Sequence, residues 1–555
     1  MSTAADKVDP DSWALPPVIL SDPDAAEWFA QADVVVVGVG GAGVTAALQA
    51  RESGADVIAL DRFQSGGSTA WSGGVYYGGA TRYQREAGVE DTPENMFAYL
   101  KQELRGSVSD ATLMRFCQDS SDNLDWLVSH GAQFNSNLTT TKTYFPDRGF
   151  YLYFSGNERL PEYAAITPPA PRGHRAYAEG DPAGNTGWAL FPPLKKSMLE
   201  NGVRLIPHAA VDRLIVDGTG RVIGVEALVI EDAGEIAQHA ELYDKSKPAP
   251  FNDKTIAKAR VAVRDIEVRA GVRRRIRARG GVILTTGGFE VNPKMLAQES
   301  STDFSKALAL GMLGSDGAGI TLGRSVGGAT AHMNHTFYGI RIVPPQAYLK
   351  GMLIGRKGRR MISEEAYLST IGYVMAQDSD GDAWVVVDGK LLRSAMRDTL
   401  RGPSKAYGMA ALLNILIGGT RRARTIEGLA RKLGVNEAAI RETLDTYNQA
   451  ARGEIDDPLG KPHQYIQEMA RGPYYAVNVS ISNRLQFVSV FTLGGLTVDE
   501  ESGQVLGDDS KPVPGLYAAG RAAVGLPSIS YVSGMSISDC VFSGRRAGRS
   551  AAGQR

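Results

Sequence analysis

A glycine-rich turn is the first place in this sequence where residue types and spacing could do chemistry. A run of four valines leads directly into Gly38-Val-Gly-Gly-Ala-Gly43. Gly38 allows a tight turn, Gly40 lets the backbone approach phosphate groups, and Gly43 lets the next helix pack close to the strand. Gly41 and Ala42 open that helix, where unpaired N–H groups and the positive end of the helix dipole favour anions. The pattern predicts a binding site for a dinucleotide pyrophosphate.

An acidic residue follows the next apolar run, where a ribose-binding residue would stand. Val57–Leu60 predicts a second strand, and it ends on Asp61, eighteen residues past Gly43. A carboxylate in this position accepts hydrogen bonds from an adenosine ribose. Arg62 follows directly and is included in the predicted site. The alternative interpretation is a glycine-rich turn in an ordinary α/β domain.

Two further glycine-rich segments are predicted to complete the same site. Without side chains in the way, backbone amides in such segments can approach a flat ring closely. A polar loop follows the first βαβ unit, and a paired glycine turn follows a later apolar strand that begins at Gly281. The residues that we expect to contact the cofactor in these segments are Gly66, Gly67, Ser68, Thr69, Ser72, Gly73, Gly74, Thr286, Gly287 and Gly288.

Composition excludes several classes of protein. The 60 Lys and Arg residues are balanced by 61 Asp and Glu residues, so no global basic field points to nucleic acid as a partner. The chain begins without a basic segment followed by an apolar one, and it holds no run of eighteen apolar residues. We therefore expect an unexported, cytoplasmic protein without a transmembrane segment. Two cysteines indicate neither a disulfide framework nor a metal site.

The order of strand-like and helix-like segments predicts an α/β fold with two domains. Residues 1–291 and 454–555 are predicted to form a Rossmann-like dinucleotide-binding domain, and residues 292–453 an inserted α+β cap that contributes to catalysis. Residues 228–278 form an insertion in the first domain, which is densely basic over residues 268–279. We expect a solvated excursion there, rather than a membrane-surface or partner patch. The apolar stretch 408–419 predicts a buried cap helix, with peripheral membrane contact as the alternative.

Together these segments resemble the fumarate reductase/succinate dehydrogenase-like FAD flavoproteins. The matching segments are Gly38–Asp61, Gly66–Gly74, Thr285-Thr-Gly-Gly-Phe289, Thr492–Asp499 and Pro514–Gly520. The resemblance implies FAD, because in that family the C-terminal glycine strand closes over the flavin. It implies that Gly520 and Arg521 also contact the cofactor. It further implies non-covalent binding, since no histidine stands in the Gly66–Thr69 loop, where covalent members attach the flavin.

The segment Tyr531-Val-Ser533-Gly534 resembles the 3-ketosteroid dehydrogenases of this family. It is more similar to the Δ4 type than to the Δ1 type, which carries a Tyr-Pro-Gly-Pro-Gly-Gly stretch that is absent here. The residues after Gly520 also lack the His-Gly…Arg pattern of members that reduce dicarboxylates. The stretch Lys357–Tyr367 resembles the strand and turn that members of the family carry in the cap.

The chemistry implied is removal of two hydrogens from a saturated bond beside a ketone. One hydroxyl would donate to the ketone oxygen and acidify the α-carbon, and a second would accept the proton. Tyr531, Ser533 and Tyr367 are the candidates, with Tyr338 as a further cap tyrosine, and the sequence does not say which hydroxyl is the base. Gly534, Ser536 and Ile537 open the last helix, whose N-terminus would stabilise negative charge on the reduced flavin.

We therefore predict an FAD-dependent oxidoreductase that introduces a double bond beside the ketone of a 3-oxosteroid, preferably between carbons 4 and 5. Alternatives are a 3-ketosteroid Δ1-dehydrogenase and another flavin-dependent enone reductase or dehydrogenase. A flavoprotein that binds nucleic acid through the basic 268–279 segment is a rival from another class. The expected partners are a small-molecule steroid and an unidentified electron acceptor.

Overall fold

A large sheet carries the glycine-rich turns in the computed structural model of this protein. The structure describes residues 14–144, 146–180, 186–249, 252–300, 307–343, 345–401 and 405–554. None of the described helices is long and apolar enough to cross a membrane. Among the described residues, no group of three or more His, Cys, Asp and Glu side chains could hold a metal ion.

The strands, numbered in chain order, are β1 Val18–Leu20, β2 Ala30–Val37, β3 Val57–Leu60, β4 Val75–Tyr77, β5 Leu138–Thr139, β6 Leu152–Tyr153, β7 Gly173–Arg175, β8 Arg204–Ile206, β9 Ala209–Asp217, β10 Val222–Ile230, β11 Gly271–Leu284, β12 Leu308–Ala309, β13 Thr330–Ala331, β14 Thr336–Ile340, β15 Met352–Ile354, β16 Trp384–Asp388, β17 Arg421–Ala423, β18 Tyr474–Asn478, β19 Val488–Thr492, β20 Gly495–Leu496, β21 Gln504–Leu506 and β22 Pro512–Ala518.

The helices are α1 Gly41–Glu52, α2 Gly67–Trp71, α3 Arg82–Glu86, α4 Pro93–Leu104, α5 Asp110–Ser129, α6 Pro161–Ala164, α7 Gly187–Glu200, α8 Ala233–Lys245, α9 Asp253–Ala270, α10 Pro293–Glu299, α11 Ala318–Ser325, α12 Leu368–Ser379, α13 Gly389–Arg401, α14 Lys405–Ile417, α15 Ile426–Leu433, α16 Glu437–Ala451 and α17 Met535–Ala552.

The large sheet has nine strands, in the order β1-β9-β10-β11-β2-β3-β8, with β22 and β21 joined at β11. Its centre is parallel: β2 pairs with β3 and β11, and β22 pairs with β11. The four valines that end β2 are at most 4% exposed, because both faces of the sheet are covered. The predicted strand, turn and helix of the first βαβ unit are therefore present.

Small residues bring the last helix against the first. A Cβ on Gly548 would lie 2.3 Å from the Ala46 carbonyl oxygen, and one on Gly544 would lie 2.2 Å from Thr45 Oγ1, so α17 packs directly on the backbone of α1. Thr45 Oγ1 also donates to the Cys540 carbonyl at 2.9 Å. This close packing directs the N-terminus of α17 toward the glycine-rich turn.

The cap differs from the prediction at its C-terminal boundary. Its core includes a four-stranded sheet, β15-β16-β18-β17, and a three-stranded sheet, β12-β19-β14. Strands β18 and β19 lie beyond residue 453, and the apolar cluster of the cap extends to Leu493. Pairing between strands far apart in sequence decides this boundary, and spacing along the chain does not reveal it.

The prediction of a solvated excursion at 228–278 is wrong for much of that segment. Residues 271–278 belong to β11, which pairs with β10 and β2 in the sheet. Arg273 and Arg275 are held by carboxylates: Arg273 Nη1 lies 2.8 Å from Asp212 Oδ1, and Arg275 Nε lies 2.8 Å from Glu226 Oε1. The basic run is therefore neutralised by acidic residues on the neighbouring strands, and α8 and α9 form a helical hairpin between β10 and β11.

Helix α14 is only partly buried, in contrast to the predicted buried helix at 408–419. Ala410 and Ile415 are buried, but Met409, Leu416 and Ile417 are 55%, 60% and 72% exposed. One side of this helix packs on the cap and the other faces outward.

Candidate functional site

The turn after β2 forms one wall of a cradle in the large sheet. Gly38 has a φ of +92°, and a Cβ there would lie 3.0 Å from the Thr285 carbonyl oxygen. A Cβ on Gly43 would lie only 1.9 Å from the Gly38 carbonyl oxygen, so the start of α1 folds tightly over the turn. Gly40 differs, because the nearest atom to its Cβ would be the Gly66 carbonyl oxygen at 4.0 Å. A side chain at residue 40 would therefore enter the cradle.

Twelve of the residues predicted to bind the cofactor line this cradle. They are Gly38, Gly40, Gly41, Ala42, Asp61, Arg62, Gly67, Ser68, Thr69, Thr286, Gly287 and Arg521. Residues that the sequence analysis did not select also line it, and they come from distant segments. Among them are Phe63, Ala209, Ala210, Val211, Tyr243, Met312, Ser315, Asp316 and Cys540.

The other predicted cofactor residues lie around the cradle without lining it. They are Gly43, Gly66, Ser72, Gly73, Gly74, Gly288, Gly520, Gly534, Ser536 and Ile537. Several allow close packing: a Cβ on Gly520 would lie 2.8 Å from Ala42 Cβ, and one on Gly288 would lie 2.2 Å from Thr492 Oγ1. Ser72 Oγ donates to the Thr69 carbonyl at 2.8 Å. These residues shape the cradle.

Asp61 and Arg62 are both engaged with protein groups. The Asp61 carboxylate accepts hydrogen bonds from the backbone N–H groups of Val39 at 2.7 Å, Phe63 at 2.8 Å and Ser65 at 3.0 Å. A carboxylate has about four acceptor positions, so one remains for a ribose hydroxyl. Arg62 forms ion pairs with Glu267 and Asp316, each at 2.6 Å. The predicted ribose contact of Asp61 stays a proposal.

The donor set of the cradle fits a flavin dinucleotide. The cradle combines a glycine turn at the N-terminus of α1, the small residues Gly67–Thr69 at the start of α2 and the cation Arg521. Arg521 is fixed by Glu290, with Nη1 and Oε1 2.6 Å apart, and its guanidinium lies 5.3 Å from the centre of the Phe491 ring. These groups would hold the pyrophosphate at the turn and balance negative charge near Arg521.

A second cavity of about 700 Å³ lies between the cap and the start of the last helix. Tyr531 and Tyr338, both predicted from the sequence, line it. The remaining lining is divided about equally between apolar or aromatic residues and polar ones, among them Glu103, Asn334, His335 and Thr370. The lining includes Arg105, Tyr163, Phe337, Ser369, Tyr373, Asp380, Ile481, Val488, Leu493 and Ile529. Its size and lining suit a small apolar ligand with a few polar groups.

An aromatic and hydroxyl cluster closes the inner end of this cavity. The Tyr531 ring lies 4.9 Å from Phe491 and 5.1 Å from Phe337, both edge-on, and 6.4 Å from Tyr367. Tyr367 is only 2% exposed. Burial raises the pKa of Tyr367 well above its ordinary value, although a hydrogen bond with Ser533 lowers it. Three of the predicted residues, Tyr531, Ser533 and Tyr367, therefore lie together.

Tyr153 is a fourth hydroxyl in this cluster and was not predicted. It is 1% exposed, and burial raises its pKa, whereas contact with Ser533 lowers it. Its hydroxyl makes no hydrogen bond of ordinary length in the structure. A buried hydroxyl with spare hydrogen-bonding capacity beside Ser533 is typical of a functional site. No signal in the sequence points to it, because Tyr153 lies 380 residues before Ser533 on a two-residue strand.

The start of α17 controls the hydroxyl of Tyr531. Burial raises the pKa of Tyr531, but the Ser536 side chain, the backbone N–H groups of Gly534 and Ser536 and the charge of Arg521 lower it. The N–H of Ser536 thus faces Tyr531. Ser369 Oγ donates to the Tyr531 carbonyl at 3.2 Å, and Ser155 Oγ to the Ser533 carbonyl at 3.0 Å. Helix α12 and the loop after β6 therefore hold this segment in place.

Comparison with known proteins identifies the family. Residues 33–537 match the family model of the FAD binding domain. The match covers most of the chain, so this protein belongs to the FAD-binding domain family. This result confirms FAD as the cofactor and the protein as a flavin-dependent oxidoreductase.

Particular relatives agree with the predicted resemblance. The chain is 37% identical over 510 residues to 3-oxo-5-alpha-steroid 4-dehydrogenase of Comamonas testosteroni, covering 90% of this chain and 94% of the relative. The solved 3-ketosteroid-delta4-(5alpha)-dehydrogenase from Rhodococcus jostii RHA1, in complex with 4-androstene-3,17-dione, is 30% identical with a TM-score of 0.79, covering 97% of this chain and all of that chain. These similarities confirm the predicted fold class and the resemblance to Δ4-type ketosteroid dehydrogenases.

A more distant structure shares the fold alone. The 3-ketosteroid delta1-dehydrogenase from Sterolibacterium denitrificans has a TM-score of 0.65 at 19% identity, covering 95% of this chain and 100% of that chain. The overall arrangement of this chain is therefore shared with that structure.

Proposed function

We propose that this protein dehydrogenates 3-oxosteroids between carbons 4 and 5, with 5α-steroids as the preferred substrates. The observation that carries the proposal is that Tyr531 lines the second cavity, with Ser533 two residues further on beside two buried tyrosines. One hydroxyl is held by a helix N-terminus and the other contacts two buried tyrosines. The names of the relatives from Comamonas testosteroni and Rhodococcus jostii support the substrate class and the bond.

Tyr531 is the donor to the 3-ketone oxygen in this proposal. The N–H groups at the start of α17 face its phenol oxygen, so its own proton can point into the cavity that it lines. Those N–H groups and Arg521 oppose part of the rise in pKa that burial causes, so the phenol stays protonated and can donate to the ketone oxygen. A donor at the ketone stabilises the enolate that forms when carbon 4 loses its proton.

Ser533 accepts the proton from carbon 4, and Tyr367 with Tyr153 forms its relay. A serine hydroxyl is a weak base unless its own proton moves on as it receives another. Ser533 contacts both tyrosines, each of which is buried and has a pKa raised by burial. These tyrosines therefore stay protonated near neutral pH, so when Ser533 takes the proton from carbon 4, its own proton passes to a tyrosine oxygen and that tyrosine releases its proton to water.

Bound FAD would supply the acceptor for the hydrogen that leaves carbon 5 as a hydride. Gly38–Ala42 and Thr69 would hold its phosphates, and Arg521 with the N-terminus of α17 would balance the added negative charge. Non-covalent attachment is part of the proposal, since residues 66–74 contain no histidine.

Product analysis tests this function. Purified protein, an artificial electron acceptor and 5α- or 5β-androstane-3,17-dione are incubated separately, and the products are analysed by mass spectrometry and NMR. We expect a 4-ene product and faster turnover of the 5α-steroid. A 1-ene product with carbons 4 and 5 unchanged would instead support the Δ1 alternative.

We also propose that the enzyme acts in the cytoplasm and contacts a membrane surface through α13 and α14. Leu400, Met409, Leu416 and Ile417 are 55–72% exposed on these helices, and the exposed Arg421 and Arg422 follow α14. Apolar residues flanked by cations suit an anionic lipid surface. The side-chain oxygen of Asn414 on α14 accepts a hydrogen bond of 2.8 Å from Asn483. Asn483 lies two residues after Ile481, which lines the second cavity.

Sedimentation with vesicles tests this contact. Wild type should bind vesicles that contain phosphatidylglycerol, and Ile417→Asp should bind several-fold less. Val261→Asp is the matched control, because Val261 is 57% exposed on α9, outside this surface. Equal binding of both variants would reject the contact. The identity of the electron acceptor can be sought in the same assay by adding quinones to the vesicles.

A further inference from the structure

The helical hairpin formed by α8 and α9 brings aromatic rings to the cradle. On α8, His239 and Tyr243 lie one turn apart, and both stack on Phe63, which follows Arg62 in the loop after β3. The ring centres of Phe63 and Tyr243 are 4.2 Å apart with an angle of 23° between the planes, and those of Phe63 and His239 are 5.0 Å apart at 22°. The hairpin therefore joins the loop after β3 through flat, nearly parallel rings.

Buried charges hold the hairpin in this position. Glu267 on α9 is 1% exposed, and its carboxylate pairs with Arg62 at 2.6 Å and with His239 at 3.3 Å. Arg62 in turn pairs with Asp316, just before α11, at 2.6 Å. Removing one member would leave a buried charge without its partner, which is costly. The hairpin is thus a fixed part of the domain.

The position of Tyr243 along the cradle indicates what it contacts. The glycine turn at Gly38–Ala42 marks the pyrophosphate, and Asp61 marks the ribose that follows it. Phe63 and Tyr243 line the same cradle. Burial raises the pKa of Tyr243, and the charge of Asp61 raises it further, so the phenol lies close to the predicted ribose position. The next group of FAD beyond this ribose is the adenine ring.

We infer that Tyr243 and Phe63 form an aromatic binding surface for the adenine of FAD, and that the α8–α9 hairpin exists to hold this surface in place. Adenine is flat and apolar on its faces, so it extends the stack of rings that the hairpin has already assembled. The hairpin then sets how tightly the enzyme retains FAD, and the oxidation chemistry in the second cavity is independent of it.

Reconstitution of the apoprotein tests the inference without measuring turnover. Apoprotein is titrated with FAD, and the dissociation constant is obtained from quenching of flavin fluorescence. Tyr243→Ala should raise the dissociation constant of FAD roughly 5- to 100-fold, the range expected for loss of one stacking ring. Tyr243→Phe should stay within about twofold of wild type, because the ring is kept.

Two further variants keep the test decisive. Glu241→Ala is the matched control, since Glu241 is exposed on the same helix and pairs only with Lys245 in the described structure. Tyr243→Leu keeps apolar bulk without an aromatic face, so it should fold even if the alanine variant does not, and it should still bind FAD more weakly. FAD binding by Tyr243→Leu equal to that of wild type would overturn the inference. A loss of FAD affinity in Tyr243→Phe as large as that in Tyr243→Ala would also overturn the inference. The loss would then be due to the hydroxyl and not to the aromatic ring.

Discussion

The cofactor cradle and the substrate cavity are built in different ways. The cradle is shaped by backbone: Gly38, Gly40 and Gly43 stand within six residues, and each has a separate geometric reason to lack a side chain. The substrate cavity is shaped by side chains, and its inner end combines residues from both domains, such as Tyr153, Phe337 and Tyr531. The cradle therefore depends on backbone geometry within one short segment, whereas the second cavity depends on side chains from distant segments.

The largest effect that separates the two regions is expected from Gly40→Val. A Cβ at this position faces open space in the cradle, so the chain should fold, but the branched side chain would occupy the room that the pyrophosphate needs. We expect colourless, folded protein with no bound FAD. Absorbance at 450 nm and circular dichroism measure the two properties.

Gly218→Ala is the control for this variant, because nothing lies within 4 Å of a Cβ there. It should keep both FAD and fold. If Gly40→Val retains FAD at the wild-type stoichiometry, the phosphates of FAD do not lie at this turn.

The second prediction concerns the hydroxyls of the cavity. Tyr531→Phe and Ser533→Ala should keep FAD and fold, yet each should slow reduction of the flavin by substrate roughly 100-fold or more, the scale of one acid–base or oxyanion group. The double variant should be little slower than the poorer single variant if the two act on one step. Rapid mixing without oxygen isolates this half-reaction.

Tyr144→Phe is a matched control for these variants. Tyr144 packs edge-on against Tyr367, but its hydroxyl donates to the Ala366 carbonyl at 3.3 Å instead of contacting Ser533. It should reduce its flavin at nearly the wild-type rate. If Tyr144→Phe slows flavin reduction as much as Ser533→Ala does, the slower reduction is explained by altered packing and not by loss of a proton relay.

A smaller effect is expected from Tyr338→Phe. Tyr338 lines the cavity on β14, but it is not among the groups that shift the pKa of Tyr367, Tyr153 or Tyr531. Loss of one hydrogen bond to substrate should change KM a few-fold and leave the maximal rate of flavin reduction nearly unchanged. A 100-fold slower reduction would place Tyr338 in the relay with Ser533.

The same contrast explains what the sequence could predict. The cradle motif was found because Gly38, Gly40 and Gly43 lie in one short segment where spacing alone implies a turn at a helix. Tyr531 and Ser533 were found because they share a short motif. Tyr153, Tyr243 and Phe491 were missed, because each reaches its site through folding of a distant segment and carries no local pattern. The boundary of the cap was misplaced for a similar reason, since β18 and β19 join sheets begun more than 90 residues earlier.

The smallest predicted effect is on stability and involves Asp539, a buried residue on α17. Burial raises the pKa of Asp539 to about 6 from an ordinary value of 3.8. The folded state therefore holds a proton that the unfolded state releases, so the free energy of unfolding falls as pH rises from about 4 to about 6. Asp539→Asn removes this pH-dependent loss of stability, because the amide does not titrate. The variant keeps a side-chain oxygen that can accept the hydrogen bond from the Leu526 N–H, which is 3.0 Å long in the wild type.

We expect Asp539→Asn to be more stable than wild type by about 1–3 kcal/mol at pH 8 and about equally stable at pH 4. Urea unfolding of the two proteins at both pH values measures the difference. If the variant is more stable than wild type by the same amount at both pH values, titration of Asp539 is not the cause of the added stability.

The proposed function requires that carbons 4 and 5 of a 3-oxosteroid are the atoms that lose hydrogen. The most direct measurement is anaerobic reduction of the enzyme-bound flavin by 5α-androstane-3,17-dione that carries deuterium at carbon 5, followed by NMR of the product. We expect slower reduction of the flavin with the deuterated steroid than with the unlabelled one, and a 4-ene product that has lost the label. Formation of a product that keeps deuterium at carbon 5, with the flavin reduced at an unchanged rate, would contradict it.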